Sequence, residues 1–227
     1  MFLRNERALV IDDTLVIADV HVGLTTDFWN SGIRLPSQVP HLVKRLVAMQ
    51  TRTKTKRLVL LGDIKHAVVG TSYQERQELH EFFSSLHFDH VIVVKGNHDG
   101  NIERFVPSTV AVKKSYTFKS FAFTHGHRLI KTTKKHIIIG HSQPHVKLQD
   151  EMGSWYIEPV WVRGPLTGDL SGKELIIMPP FNELCGAGII NDGPITGTIA
   201  KKLDTQEAHV YLLDGTDLGC IDDLMIR

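Results

Sequence analysis

Five short segments carry side chains suited to holding a divalent cation: Asp19-Val20-His21, Gly62-Asp63, Gly96-Asn97-His98-Asp99, His125-Gly126-His127 and Gly140-His141-Ser142-Gln143. They offer carboxylate and amide oxygens with imidazole nitrogens, a hard-to-borderline ligand set without thiolate. Any one alone is uninformative. Asp and His meet by chance in D-x-H, and G-N-H-D reads equally as a turn whose Gly and Asn tolerate left-handed backbone. All five, however, directly follow short aliphatic runs, and strand ends are where open α/β sheets gather their ligands.

The elements behind these segments can be read from apolar patterning. Residues 8–12 and 14–18 are short aliphatic runs separated by Asp12-Asp13, which predicts a hairpin or two close strands delivering Asp19. Val39, Leu42, Val43, Leu46 and Val47 follow helical spacing after Pro36 and Pro40, so a helix is expected over 38–50, followed by a basic connector over 51–57. Residues 57–61 and 90–94 read as buried strands, with Leu79, Phe82, Phe83 and Leu86 on one face of a helix between them. This βαβαβ alternation predicts a parallel sheet whose C-terminal strand ends share one edge. Further on, short strands are expected at 109–112, 116–119, 121–124, 136–139, 156–162, 174–178 and 209–213, making a second sheet packed on the first. Residues 179–194, rich in Pro, Gly and Asn, should form a structured loop over part of the molecule.

Size and composition fit this outline. A chain of 227 residues suits one α/β domain over 1–227, burying roughly 70 to 75% of its unfolded surface. With 42% hydrophobic and 22% charged residues, disorder, collagen-like repeats and a pure coiled coil are excluded. No apolar run approaches the roughly 18 residues of a membrane span. Arg4, Glu6 and Arg7 precede the first apolar run, which is unlike a secretory signal. Cys185 and Cys220 stand outside any C-x-x-C pair and are expected to be small core residues. A cytoplasmic protein is therefore expected. The net charge of +1 conceals a segregation: residues 104–149 hold nine basic side chains and no acidic one. Such a segment serves an anionic partner, or is simply a solvated lysine-rich face.

The order of the five segments resembles the calcineurin-like metallophosphoesterase signature, D-x-H, G-D, G-N-H-D/E, H and G-H-x-H, over residues 19 to 143. A narrower resemblance, to small and chiefly archaeal phosphoesterases related to the repair nuclease SbcD, rests on residues 18–23, 62–66 and Met178-Pro179-Pro180-Phe181-Asn182. It implies a four-layer α/β/β/α sandwich, two mixed sheets flanked by helices, with a dinuclear site between the sheet edges. Carried over residue by residue, it puts Asp19 and His21 on a first metal, Asp63 between both, and Asn97, His125 and His141 on the second. Mn²⁺ is the first expectation, with Fe, Zn²⁺ or Ni²⁺ as alternatives. The implied activity is hydrolysis of phosphodiesters, nucleic acid or nucleotide-like, by a hydroxide bridging two ions. A phosphomonoesterase of the same fold and a catalytically retired metal-binding scaffold are the alternatives.

His98 would contact the phosphate or protonate the leaving group, with Asp99 orienting it. Gln143 departs from the pattern, standing where the family has a histidine on the first metal. A neutral amide is the poorer donor, so that site should be weaker; His145 is a second candidate for the place. For substrate contacts the candidates are Arg128, favoured for its bidentate grip on phosphate, His127, and Lys65, which could equally be solvated. His66 would touch substrate or support Asp63. His87, His90, His136 and His209, in or beside apolar runs, read as structural. Trp155, Tyr156 and Trp161 would stack bases or belong to the core or to an interface such as a homodimer's. By resemblance, Phe181 and Asn182 shape a loop near the site.

Overall fold

The computed structural model describes residues 1–226. Its first half alternates strand and helix: β1 (Leu9–Ile11), β2 (Thr14–Ile17), α1 (Thr25–Asn30), α2 (Val39–Thr53), β3 (Arg57–Leu61), α3 (Tyr73–Ser84), β4 (His90–Val94) and β5 (Ala111–Lys113). The strands form one sheet in that order, β1 antiparallel to β2 and the rest parallel. Strands covered on both faces must be apolar throughout, which is why residues 57–61 and 90–94 are nearly continuous aliphatic runs. Leu15, Ile17, Leu58, Leu60 and Val93 face α2 and α3, meeting Leu42, Leu46, Met49, Leu79 and Phe82. Helix α2 runs three residues beyond expectation and stops where Lys54 turns left-handed at φ 56°, its amide closing on Gln50. Helix α3 starts where the Ser72 hydroxyl accepts from the Glu75 amide at 3.0 Å and ends before Leu86.

The second half is almost all strand: β6 (Tyr116–Phe118), β7 (Phe121–Phe123), β8 (His136–Ile139), β9 (Pro144–Gln149), β10 (Trp155–Pro165), β11 (Glu174–Ile177), β12 (Gly188–Ile189), β13 (His209–Leu212) and β14 (Asp217–Cys220). These make a mixed nine-stranded sheet ordered β12-β9-β10-β11-β8-β7-β6, with β13 and β14 continuing from β10. The expected pair of mixed sheets is therefore present. They pack through Val16, Ala18, Val59, Leu61, Ile92 and Val94 of the first against Phe123, Ile138, Trp161, Ile176 and Met178. Trp161 is fully buried and stacks on Phe2, ring centroids 4.4 Å apart, so it belongs to the core, whereas Trp155 and Tyr156 are exposed.

The two outer layers differ. Among the described residues the α-helices lie within 25–84, and α2 and α3 cover the first sheet. Across the second, Ile137, Ile139, Val162 and Ile177 are covered by Leu170, Ile195, Ile199, Leu203 and Ile221 from loops and from short 3-10 turns. Both cysteines are free and only partly buried, a correction to the core placement expected of them. No helix among the described residues is long and apolar enough to cross a membrane.

Candidate metal centre

Strands β2, β3, β4, β7 and β8 are mutually aligned within their sheets, and each ends at the same edge of the sandwich. The segments that follow them are those carrying Asp19 and His21, Asp63, His98, His125 and His141. Ligand atoms of Asp19, His21 and Asp63 lie within 4.8 Å of one another, as do those of Asp63, His125 and His141, and of His21, His66 and His98. Asp63 thus belongs to two groups and His21 to two. Gln143 joins them through its side-chain amide, 3.3 Å from His21 Nε2. The two amide ends are told apart only by their partners, and against a cation the oxygen would face inward.

Close approach is bought with unusual backbone. Asp19, His21, Asp63, His141 and Gln143 all have positive φ, from 45° to 66°, where a side chain is held at a cost of order 1 kcal/mol or more. Glycines make room for the ligands: a Cβ at Gly62 would strike the His125 ring, one at Gly96 the Asp63 carboxylate, and one at Gly140 the Asp19 carboxylate.

Hydrogen bonds then fix each group. Both Asp19 oxygens accept from the His141 amide, at 3.2 and 3.1 Å. Asp63 Oδ1 accepts from the His98 amide at 2.9 Å. His125 Nδ1 donates to the Leu61 carbonyl at 3.1 Å, which leaves Nε2 as the nitrogen offered to the centre. That Nε2 is buried, 2.9 Å from Asp63 Oδ2, yet makes no aligned hydrogen bond. A buried nitrogen and a carboxylate oxygen that converge this way are suited to share a divalent cation.

The electrostatics agree. Burial raises the Asp19 carboxyl to about 7. Burial lowers the His21 imidazole to about 3, and burial with the nearby His125 lowers His141 to about 4. Burial opposes charge on Asp63 and His125 as well, but their mutual contact wins: Asp63 falls below the usual carboxylate range while His125, also facing Asp19, rises to about 9. A cation held by these groups would invert the balance, favouring ionised Asp19 and neutral His125. Two carboxylates, three imidazoles and an amide fit a divalent metal of the Mn²⁺, Fe or Zn²⁺ kind.

Other expected residues fall differently. Asn97 stands at the same strand end but is exposed, the one expected ligand that is. His98 is half-buried with Nε2 3.8 Å from Asp63 Oδ2. Asp99 does not orient it: its carboxylate accepts from the amides of Ile64, Lys65 and Gly96, at 2.8, 3.2 and 2.8 Å, and His98 Nδ1 is held by the His66 carbonyl instead. Lys65 is fully buried, its amine donating to the carbonyls of Ala67 and Gly70, so it braces its own loop and is closed to phosphate. His145 turns Nδ1 to the Gln143 carbonyl at 2.8 Å, which leaves the first-metal place to Gln143. His127 is half-buried with Nδ1 unpartnered and its ring 5.5 Å from that of His125; Arg128 beside it is exposed. The loop over 179–194 does lie at the site, with Phe181 and Asn182 amides donating to Ala18 and Asp19 and the Asn182 side chain to the Val20 carbonyl. Two residues unmarked by any motif also serve the site. Glu75 accepts from the amides of His66 and Ala67, both at 2.8 Å, and Asp27 reaches His66.

Comparison with known proteins gives a consistent picture. The profile of the calcineurin-like phosphoesterase family matches residues 13–164. Among solved structures, the nuclease MPE of Pseudomonas putida is 19% identical, covering 91% of this chain and 88% of its own, with a TM-score of 0.59. The E. coli phosphoesterase YfcE is 14% identical over 91% of this chain and 96% of its own, with a TM-score of 0.43. No match was found among curated proteins.

Proposed function

This chain belongs to the calcineurin-like phosphoesterase family, and from that premise we propose that it is a metal-dependent phosphodiesterase acting on nucleic acid or nucleotide-like esters. The observation that carries the reading is the convergence of Asp19, His21, Asp63, His125 and His141 from two sheets into two adjoining groups that share Asp63. Divalent ions held by these residues would supply positive charge for a phosphate and lower the pKa of a bound water toward neutral pH. Asp19, His21 and Gln143 form one side of that centre and His125 and His141 the other, with Asp63 between.

The protein's own groups account for the rest. His98, its Nδ1 donating to the His66 carbonyl, turns Nε2 toward the centre, where it holds a proton for the departing oxygen. Arg128 and His127 lie next along the chain from His125 and receive the non-reacting phosphate oxygens. A diester is favoured over a monoester by the nine basic residues of 104–149, suited to a polyanion, and the solved neighbour MPE is a nuclease. A single cytoplasmic domain, with Mn²⁺ as its metal, completes the reading. Exposed Trp155, Tyr156 and Ile157 on the β9–β10 hairpin give a homodimer its contact.

The test is turnover of bis-p-nitrophenyl phosphate and p-nitrophenyl phosphate by chelator-stripped protein, with and without Mn²⁺, beside His98→Ala. Metal-dependent diester cleavage that drops at least about tenfold in the variant is expected. Monoester cleavage alone would make it a phosphomonoesterase, and no turnover with Mn²⁺, Fe²⁺, Zn²⁺ or Ni²⁺ would overturn the enzyme reading.

A further inference from the structure

His21 and His66 meet ring to ring. His66 Nδ1 lies 3.2 Å from His21 Nδ1, and on the other edge of the same ring Nε2 lies 2.7 Å from Asp27 Oδ2. Two ring nitrogens in contact need one donor and one acceptor, and an ionised carboxylate only accepts. His66 Nε2 therefore carries the hydrogen. In a neutral ring that leaves His66 Nδ1 an acceptor, so His21 must donate from Nδ1. His21 Nε2 then keeps its electron pair, and it is this nitrogen that faces Asp63 Oδ2 at 3.9 Å and the Gln143 amide. The opposite tautomer would place a hydrogen where a cation needs the lone pair.

The rest of His66 is already fixed. Its amide donates to the Val22 carbonyl at 3.0 Å and to Glu75 at 2.8 Å, and its carbonyl receives His98 Nδ1. The imidazole is the part whose hydrogen is assigned from outside, by a carboxylate on α1.

We infer that Asp27 is a positioning residue for metal capture: through His66 it holds His21 in the tautomer whose Nε2 can ligate a divalent ion. The inference rests on the metal-centre reading above. Asp27 is 68% exposed at its side chain, so its charge is largely screened and its contribution is directional, the acceptor that sets a chain of hydrogen bonds. No motif marks it. It lies six residues beyond His21, and only the fold brings it to His66.

The experiment is Mn²⁺ titration of the full chain by electron paramagnetic resonance, for wild type, Asp27→Ala and Asp27→Asn. Imidazole ¹⁵N–¹H spectra and thermal unfolding of the metal-free proteins accompany it. Asp27→Ala should weaken Mn²⁺ binding about tenfold, and Asp27→Asn, whose amide oxygen still accepts from His66, should stay within about threefold of wild type. The His21 signal should read Nδ1–H in wild type and Asp27→Asn, and a mixture of tautomers in Asp27→Ala, while the unfolding temperatures stay together. Wild-type affinity in Asp27→Ala overturns the inference. So does equal weakening in both variants, since charge rather than an acceptor would then be what counts, and so does Nε2–H on His21 in the wild type. Wild-type protein that binds no divalent ion is a separate failure, overturning the metal centre itself.

Discussion

Of the glycines packed against the ligands of the centre, Gly140 lies against Asp19. Its φ lies outside the left-handed region, so alanine is acceptable to the backbone, and the whole effect of Gly140→Ala is spatial. The new Cβ would sit 2.5 Å from Asp19 Oδ2, 2.8 Å from Ala18 Cβ and 3.2 Å from the Leu61 carbonyl oxygen. Ordinary contact begins at 3.4 Å, so the Asp19 oxygen would have to retreat by about 0.9 Å from its 2.5 Å approach. It is flanked by buried strand on one side and by the His141 amide on the other. Overpacking of this kind costs about 1–3 kcal/mol, a fall of roughly 2–12 °C in Tm for a chain of this size. The same displacement is several times the roughly 0.2 Å tolerance of a metal ligand, so Mn²⁺ affinity should fall by at least about tenfold. Gly100→Ala is the control: nothing but the Val68 carbonyl at 3.9 Å lies near its Cβ, and its φ also permits alanine. Calorimetric unfolding of the metal-free proteins and isothermal titration with Mn²⁺ read the two effects separately. If Gly140→Ala matches Gly100→Ala in both, the idea that glycine makes room for Asp19 is wrong.

Metal affinity should depend on pH through two buried groups. Asp19, raised to about 7, must lose its proton to ligate, and so must His125, raised to about 9, whereas His21 and His141 are already neutral above about 4. Below pH 7 loading therefore expels close to two protons and affinity climbs roughly a hundredfold per pH unit; between 7 and 9 it climbs about tenfold. A flat profile across pH 6–8 in titration calorimetry would sink this assignment. Asp99→Ala strands the buried amides of Ile64 and Lys65 and the half-buried amide of Gly96. It should cost about 2–5 kcal/mol in urea unfolding, and a loss under about 0.5 kcal/mol would show that the carboxylate does not tie the two loops together.

The sequence was most readable where local and global demands coincide. Strands 57–61, 90–94 and 136–139 have the bounds expected of them because burial on both faces forces unbroken aliphatic runs. The five ligand segments were legible for the same reason, each following such a run within a residue or two. Helix α1 left no trace: six residues, Thr25–Asn30, have no room for an apolar period. Strand β9 opens on Pro144 and was hidden by it, while the 3-10 turns that cover the second sheet carry scattered rather than periodic apolar residues. Side-chain roles were harder still. Asp99 adjoins His98 in sequence, yet its carboxylate faces the other way, toward loop amides from Ile64 and Lys65. From sequence Lys65 reads as either a phosphate contact or a solvated side chain, since lysine is seldom fully buried. Only the fold shows its amine closed onto Ala67 and Gly70.

The ligands divide between the layers: Asp19, His21 and Asp63 follow strands of the first sheet, and His125, His141 and Gln143 belong to the second. Otherwise these layers are joined by apolar contact between the sheet faces and by a few hydrogen bonds at the ligand edge, such as those of the His141 amide to Asp19 and of His125 Nδ1 to the Leu61 carbonyl. An ion gripped from both sides acts as a cross-link between them, so neither sheet can swing away without first releasing it. Loading then does more than arm the site. An ion so held would tie the two layers into one cooperative unit, and amide exchange in β3 and β8 should then slow together on loading, by up to the free energy of binding.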